Sequence, residues 1–127
     1  FFAAPELAAA HRPKFPASLD QAPLLVPTER TAVRRELDQW LYQHELRPRI
    51  LGEFEDTALM KVFGQDGMGL FPAPSVIEEE VCRQYTVEVV GRISAIRERF
   101  YAITVERRLK HPAVVAVCES ARKNLFG

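Results

Sequence analysis

Long apolar runs are missing from this 127-residue chain. A helix that crosses a bilayer needs about 18 consecutive apolar residues, so no helical membrane span is expected. An excess of one charge is also missing: 17 Lys and Arg balance 17 Asp and Glu. Binding to a phosphate backbone needs concentrated basic surface, so no nucleic-acid face is expected here. The nearest approach is Arg97, Arg99, Arg107 and Arg108, and Glu98 and Glu106 interleave with them as on a solvated strand edge. Cysteine is scarce, with Cys82 and Cys118 alone and in no metal-binding spacing. They read as buried free thiols, which suits a reducing cytoplasm.

Catalytic signatures are lacking as well. No G-x-S-x-G, P-loop, H-E-x-x-H or dinucleotide fingerprint occurs. His11, His44 and His111 are far apart, and none stands near a Cys or Ser in a telling way. The expectation is a chain with no catalytic residues, no metal site and no cofactor. There is no initiator Met, and the opening FFAAPELAAAH has no basic n-region and is broken by Pro5 and Glu6. It is a poor signal peptide, and the chain is expected to be a piece of something longer.

What is present is the composition of one globular domain, 47% hydrophobic and 27% charged. Phe1 to Ala4 reads as a short strand that Pro5 ends. Pro13, Pro16 and Pro23 then rule out a long helix. Pro23 to Pro27, PLLVP, is a buried strand bounded by prolines. Thr28 stands where an N-cap belongs. Val33, Leu37, Trp40, Leu41 and His44 recur at helical spacing, with Arg34, Arg35, Glu36, Asp38 and Gln39 on the other face. Pro48 forbids continuation, and Ile50 to Phe54 is the next strand.

The most informative stretch follows, EFEDTALMKVFGQDGMGLFPAP, from Glu53 to Pro74. Glu55 or Asp56 caps a helix whose inward stripe is Ala58, Leu59, Val62 and Phe63. Gly64 and Gly67 supply the left-handed backbone to stop it. Met68 to Phe71 is a strand, and Pro72 and Pro74 set the exit. GQDGMG follows a helix and precedes a strand, the reverse of a phosphate loop, so it reads as turn chemistry. Ser75 to Gln84 is helical, with Val76, Ile77, Val81 and Cys82 inward and Glu78 to Glu80 outward, near the positive end of the helix dipole. Strand-like alternation returns at Val87, Val89 and Phe100 to Val105. His111 and Pro112 open a last helix, with Val114, Cys118, Ala121 and Leu125 on one stripe.

Alternating strands and helices from Leu24 to Gln84 imply a parallel sheet with right-handed crossovers. In such sheets ligands bind beyond the carboxyl ends of the strands, at helix N-termini. Two N-termini, Thr28 to Thr31 and Asp56 to Thr57, then point at one crevice. An anion would use the N–H groups, and a small cation the oxygens of Glu29, Glu55 and Asp56. Alternation also puts Glu53 and Glu55 on one face. That leaves open a paired acid and base beside the plainer reading of a cap and a solvated side chain. Holding a small ligand or ion is favoured over making or breaking bonds.

PLLVPTERTAVRRELDQWL, EFEDTALMKVFGQDGMGLFPAPSVIEEE and ERFYAITVERRLKHPAVVAV together resemble the effector-binding domain of LysR-type transcriptional regulators. PTERTAVRRELDQW, GEFEDTALMKVFGQ and RRLKHPAVVA are similar, more narrowly, to that family's sodium-responsive antiporter activators. The resemblance covers nearly the whole chain. It implies an α/β, periplasmic-binding-protein-like (type II) fold, with one complete Rossmann-like lobe and part of a second. Lobe two would be residues 18–85, and residues 1–17 and 86–127 would belong to lobe one. The winged helix-turn-helix would lie outside this sequence, and DNA would be reached only through it. Cleft residues carried over by position are Pro27, Thr28 and Glu29, then Phe54, Glu55, Asp56 and Thr57, then Phe71 and Pro72. The implied partners are a small ligand or a monovalent cation, Na⁺ or Li⁺, and further copies of the chain in a dimer or tetramer. A solute-binding lobe of a periplasmic-type transport protein is the alternative.

Overall fold

The computed structural model describes residues 1–96. The strand expected at Phe100 to Val105, the last helix, Cys118 and the arginines from Arg97 onward lie outside the described residues. Element order is β1 (Phe2–Ala3), α1 (Pro5–His11), β2 (Pro23–Pro27), α2 (Ala32–Gln43), β3 (Arg49–Phe54), α3 (Thr57–Gln65), α4 (Glu78–Tyr85) and β4 (Glu88–Val89). Short 3₁₀ turns occupy Ala17–Leu19 and Ser75–Ile77.

β2 and β3 pair in parallel, and β1 and β4 pair antiparallel. Leu70 and Phe71 stand between the two ladders. Phe2 and Phe71 exchange a reciprocal pair of backbone hydrogen bonds, both 2.9 Å. On the other side the Leu25 N–H donates to Leu70 O (2.7 Å) and the Leu70 N–H to Pro23 O (2.9 Å). The ladders therefore run in the order β4, β1, Leu70–Phe71, β2, β3. Met68 makes no bridge, so the strand expected from Met68 onward is shorter, because the turn at Gly67 (φ 82°) extends into it.

Side chains of a strand alternate between faces, and here each face has its own core. Leu24, Val26, Leu70 and Ala3 pack with Ala8 of α1 and Leu37, Trp40 and Leu41 of α2. Leu25, Phe71 and Phe2 pack with Met60 of α3 and Val81 of α4. Helices thus cover both faces, which is why PLLVP is apolar without alternation. Between Leu24 and Leu25 the β2–β3 register shifts, Leu24 facing Ile50 and Leu25 facing Gly52. Leu51 is the extra residue of that bulge and lies exposed.

Several expectations need correcting. Pro5–His11 forms a short helix directly after the opening strand. Pro5 takes the first helical position, where its missing N–H costs nothing, and Glu6 lies in the first turn. The Arg12 guanidinium then ties the end of α1 to β4 through Glu88 (2.8 Å) and Val89 O (3.0 Å). The inward stripe of α3 is Met60 and Gly64 with Phe63 half-buried, whereas Leu59 and Val62 are 47% and 45% exposed. Leu59 and Val62 share a face equally well with one another, so periodicity gave the spacing but not the phase. Gly64 does not stop the helix. It lies inside α3 where the ring of Phe71 touches its backbone, and α3 ends at Gln65 with only Gly67 in the left-handed region. Val76 is exposed on the 3₁₀ turn ahead of α4, while Ile77, Val81 and Cys82 face the core as expected. His44 stacks on Trp40 at the exposed end of α2 (centroids 4.2 Å apart) instead of entering the core.

Candidate functional site

The carboxyl ends of β2 and β3 finish side by side, at the pair Pro27 and Phe54. The Thr28 N–H donates to Phe54 O (3.1 Å), carrying the pairing one residue beyond both strands. From this end the chain leaves β2 through a tight turn into α2, and leaves β3 through Glu55 and Asp56 into α3. Because the strands are parallel, both helices start at the same end of the sheet.

The α2 turn differs from the expected one. Thr31, not Thr28, is the N-cap: its Oγ1 accepts from the Arg34 N–H (3.3 Å) and donates to Thr28 O (3.0 Å). The Thr31 N–H also donates to Thr28 O (3.2 Å). Residues 28–31 therefore close on themselves, which pushes the first helical turn three residues later than the proline-to-threonine spacing suggested. At the second helix the expectation holds. Asp56 caps α3, its Oδ1 accepting from the N–H groups of Ala58 (2.9 Å) and Leu59 (3.4 Å). Asp56→Ala is expected to destabilise the domain by about 1 kcal/mol through loss of this cap, read as a lower urea midpoint with an unchanged slope.

Arg34 is the residue that the sequence reading missed. Assigned to the solvated face, it is 3% exposed, the single buried charged or polar side chain among the described residues. Its Nη1 donates to Pro27 O (2.9 Å), its Nη2 to Glu53 Oε1 (3.2 Å), and its Nε to Asp38 Oδ1 (2.9 Å). Glu29 Oε1 stands 4.0 Å from the same Nη2. Burial works against the Arg34 charge, but the hydrogen bonds it donates to the Asp38 and Glu53 carboxylates outweigh this and hold its pKa above the ordinary arginine value. A signal was present in the sequence: Arg34 lies three residues before Leu37 and seven before Leu41, on the buried stripe itself.

The other expected site residues fall as follows. Pro27 is buried, and Thr28, Glu29, Phe54, Glu55, Asp56 and Thr57 line the rim with partial or full exposure. Glu55 lies 3.9 Å from Arg30, both widely exposed. Glu53 is bonded to Arg34, so the two carboxylates have different cationic partners. Phe54 packs against Phe63 of α3 (centroids 5.5 Å apart). The parallel Leu24–Leu70 bridge carries Phe71 and Pro72 toward the same end, with Pro72 half-buried and Phe71 wholly enclosed between Phe2 and Gly64. Among the described residues no group of three or more His, Cys, Asp or Glu is placed to hold a metal ion. Nor is any helix there long and apolar enough to cross a membrane.

The rim carries the hydroxyl side chains of Thr28, Thr31 and Thr57 beside the carboxylates of Glu29, Glu55 and Asp56. Residues 1–125 match the model of the LysR substrate binding domain. The chain is 38% identical over 112 residues to the transcriptional activator protein NhaR of Escherichia coli (strain K12), and equally to that of Shigella flexneri. The match covers 88% of this chain and 37% of each relative, so the chain spans well under half of their length. No solved structure gives a significant match. With an α/β sheet covered on both faces, helix N-termini gathered at one sheet end and a family match over nearly every residue, this chain belongs to the LysR substrate-binding domain family.

Proposed function

We propose that this chain is the effector-sensing part of a LysR-type transcriptional activator, one that governs a Na⁺/H⁺ antiporter gene. A small ligand or a monovalent cation, Na⁺ or Li⁺, is the signal. The observation that carries the reading is the convergence of the carboxyl ends of β2 and β3 with the N-termini of α2 and α3 at one rim. That is where open α/β sheets take ligands. Pro27, Thr28, Glu29, Phe54, Glu55, Asp56, Thr57 and Pro72 form one wall of the cleft, and Phe71 supports it from below. Residues 18–85 make up lobe two of a type II periplasmic-binding-protein-like fold. The protein works in the cytoplasm as a dimer or tetramer, without cofactor or catalysis. It meets DNA through a separate winged helix-turn-helix.

The test uses the full-length activator. Replacing Glu55 by Gln is expected to abolish the dependence of transcription on NaCl or LiCl while DNA affinity stays within about twofold, since DNA is met through a separate module. An unaltered salt response with folded protein would remove Glu55 from the site. Calorimetry of the two-lobed domain with Na⁺, Li⁺ and K⁺ then separates the ligand classes. Heat with Na⁺ and Li⁺ supports a cation, and silence with all three favours an organic anion held by the turn N–H groups.

A further inference from the structure

Arg34 joins three separate pieces of chain. Nε holds Asp38 of its own helix, Nη1 holds the last carbonyl of β2, and Nη2 holds Glu53 near the end of β3. That same Nη2 lies 4.0 Å from Glu29, on the turn that follows β2. One nitrogen therefore stands between carboxylates of both halves of the rim.

Stability is a poor explanation for such a group. Removing a cation from water is costly, and replacing buried ion pairs by apolar side chains of like volume is often neutral or stabilising. What a guanidinium offers instead is geometry: a planar fork of five donors that holds several acceptors at set angles, which an ammonium on a flexible stem does not. The backbone bond between Thr28 and Phe54 crosses the same junction, as does the exposed Arg30–Glu55 pair at 3.9 Å, and neither of these is buried as Arg34 is.

We propose that Arg34 is a positioning residue of the effector rim, locking the Thr28–Thr31 turn and the Glu53–Thr57 segment into a single ledge. A ligand that draws Glu29 or Glu53 away from Nη2 releases the other half, so occupancy at either side is felt by both. The effector role rests on the sensing function proposed above, and the ledge itself does not.

Hydrogen exchange by mass spectrometry on the full-length protein tests the ledge without any ligand. In Arg34→Lys and Arg34→Met, exchange of the peptide covering Thr28 to Thr31 is expected to rise about tenfold, the loss of one charge-assisted hydrogen bond. Peptides covering Leu24 to Val26 should stay protected. Asp38→Asn, which disturbs the same guanidinium on the side away from the rim, should leave Thr28 to Thr31 as in the wild type. Unchanged rim exchange in both Arg34 variants overturns the proposal. So does an equal rise in Asp38→Asn, or a loss of protection that reaches Leu24 to Val26 in both Arg34 variants, since either marks a purely structural residue. A second arm titrates transcription with NaCl against KCl at constant ionic strength. Arg34→Lys and Glu53→Gln should each shift the half-response by a similar factor, and the double variant no further. A flat wild-type response overturns the sodium reading alone, and the exchange arm still decides the ledge.

Discussion

Phe71→Ala is expected to cost about 3–5 kcal/mol of folding stability, the range for emptying a large aromatic from a core that cannot collapse around it. Phe71 is wholly buried and joins elements distant in sequence. Its ring stacks on Phe2 (centroids 5.6 Å apart, 17° between planes), and its other edge meets the backbone of α3 at Gly64. Its main chain completes the bridge between the two ladders. These neighbours belong to a sheet and to helix backbone, so the cavity stays open. Urea unfolding of the wild type and the variant checks the figure. A difference under about 1.5 kcal/mol would mean that the core relaxes as it does around volume-conserving swaps.

The converse change, Gly64→Ala, has the second largest expected effect. In an exposed helix interior it would stabilise by about 1 kcal/mol, because alanine is the better helix former. Here a Cβ would overlap the Phe71 ring, which is enclosed and cannot swing aside. Overpacking costs typically about 1–3 kcal/mol, so the gain is cancelled and a net loss of up to about 2 kcal/mol is expected. The diagnostic is coupling. In Gly64→Ala with Phe71→Leu, a smaller side chain makes room for the methyl, so the double variant should be more stable than the sum of the singles predicts. Strict additivity would show that the methyl is accommodated elsewhere. Because α3 rests on Phe71 at this point and begins at the rim with Asp56, Gly64→Ala should also weaken the effector response.

Both results bear on what the residue order reveals and what it leaves out. Pro23–Pro27 and the Asp56 cap were legible with their boundaries, and α2 and α3 in outline. Proline, an N-cap carboxylate and a glycine at positive φ act through the chain a few residues either side. The α/β class was legible too, since alternating periods need only local reading, and the family strings agreed with it. The 3₁₀ turns and the helix at Pro5 were not, because short elements carry no period to read.

Matters that depend on a partner from elsewhere in the chain were closed to that reading. Which stripe of α3 faces inward, and that Gly64 is a contact instead of a stop, depend on a phenylalanine seven residues away across a turn. The burial of Arg34 depends on Pro27 and Glu53, brought together by pairing of strands more than twenty residues apart. Sequence carries hydrophobic period, caps and turns, because these are decided within one or two helical turns. The tertiary structure alone decided the phase of each helix against the sheet and the partners of a buried charge. Those follow from packing and desolvation, which exist only once distant segments touch.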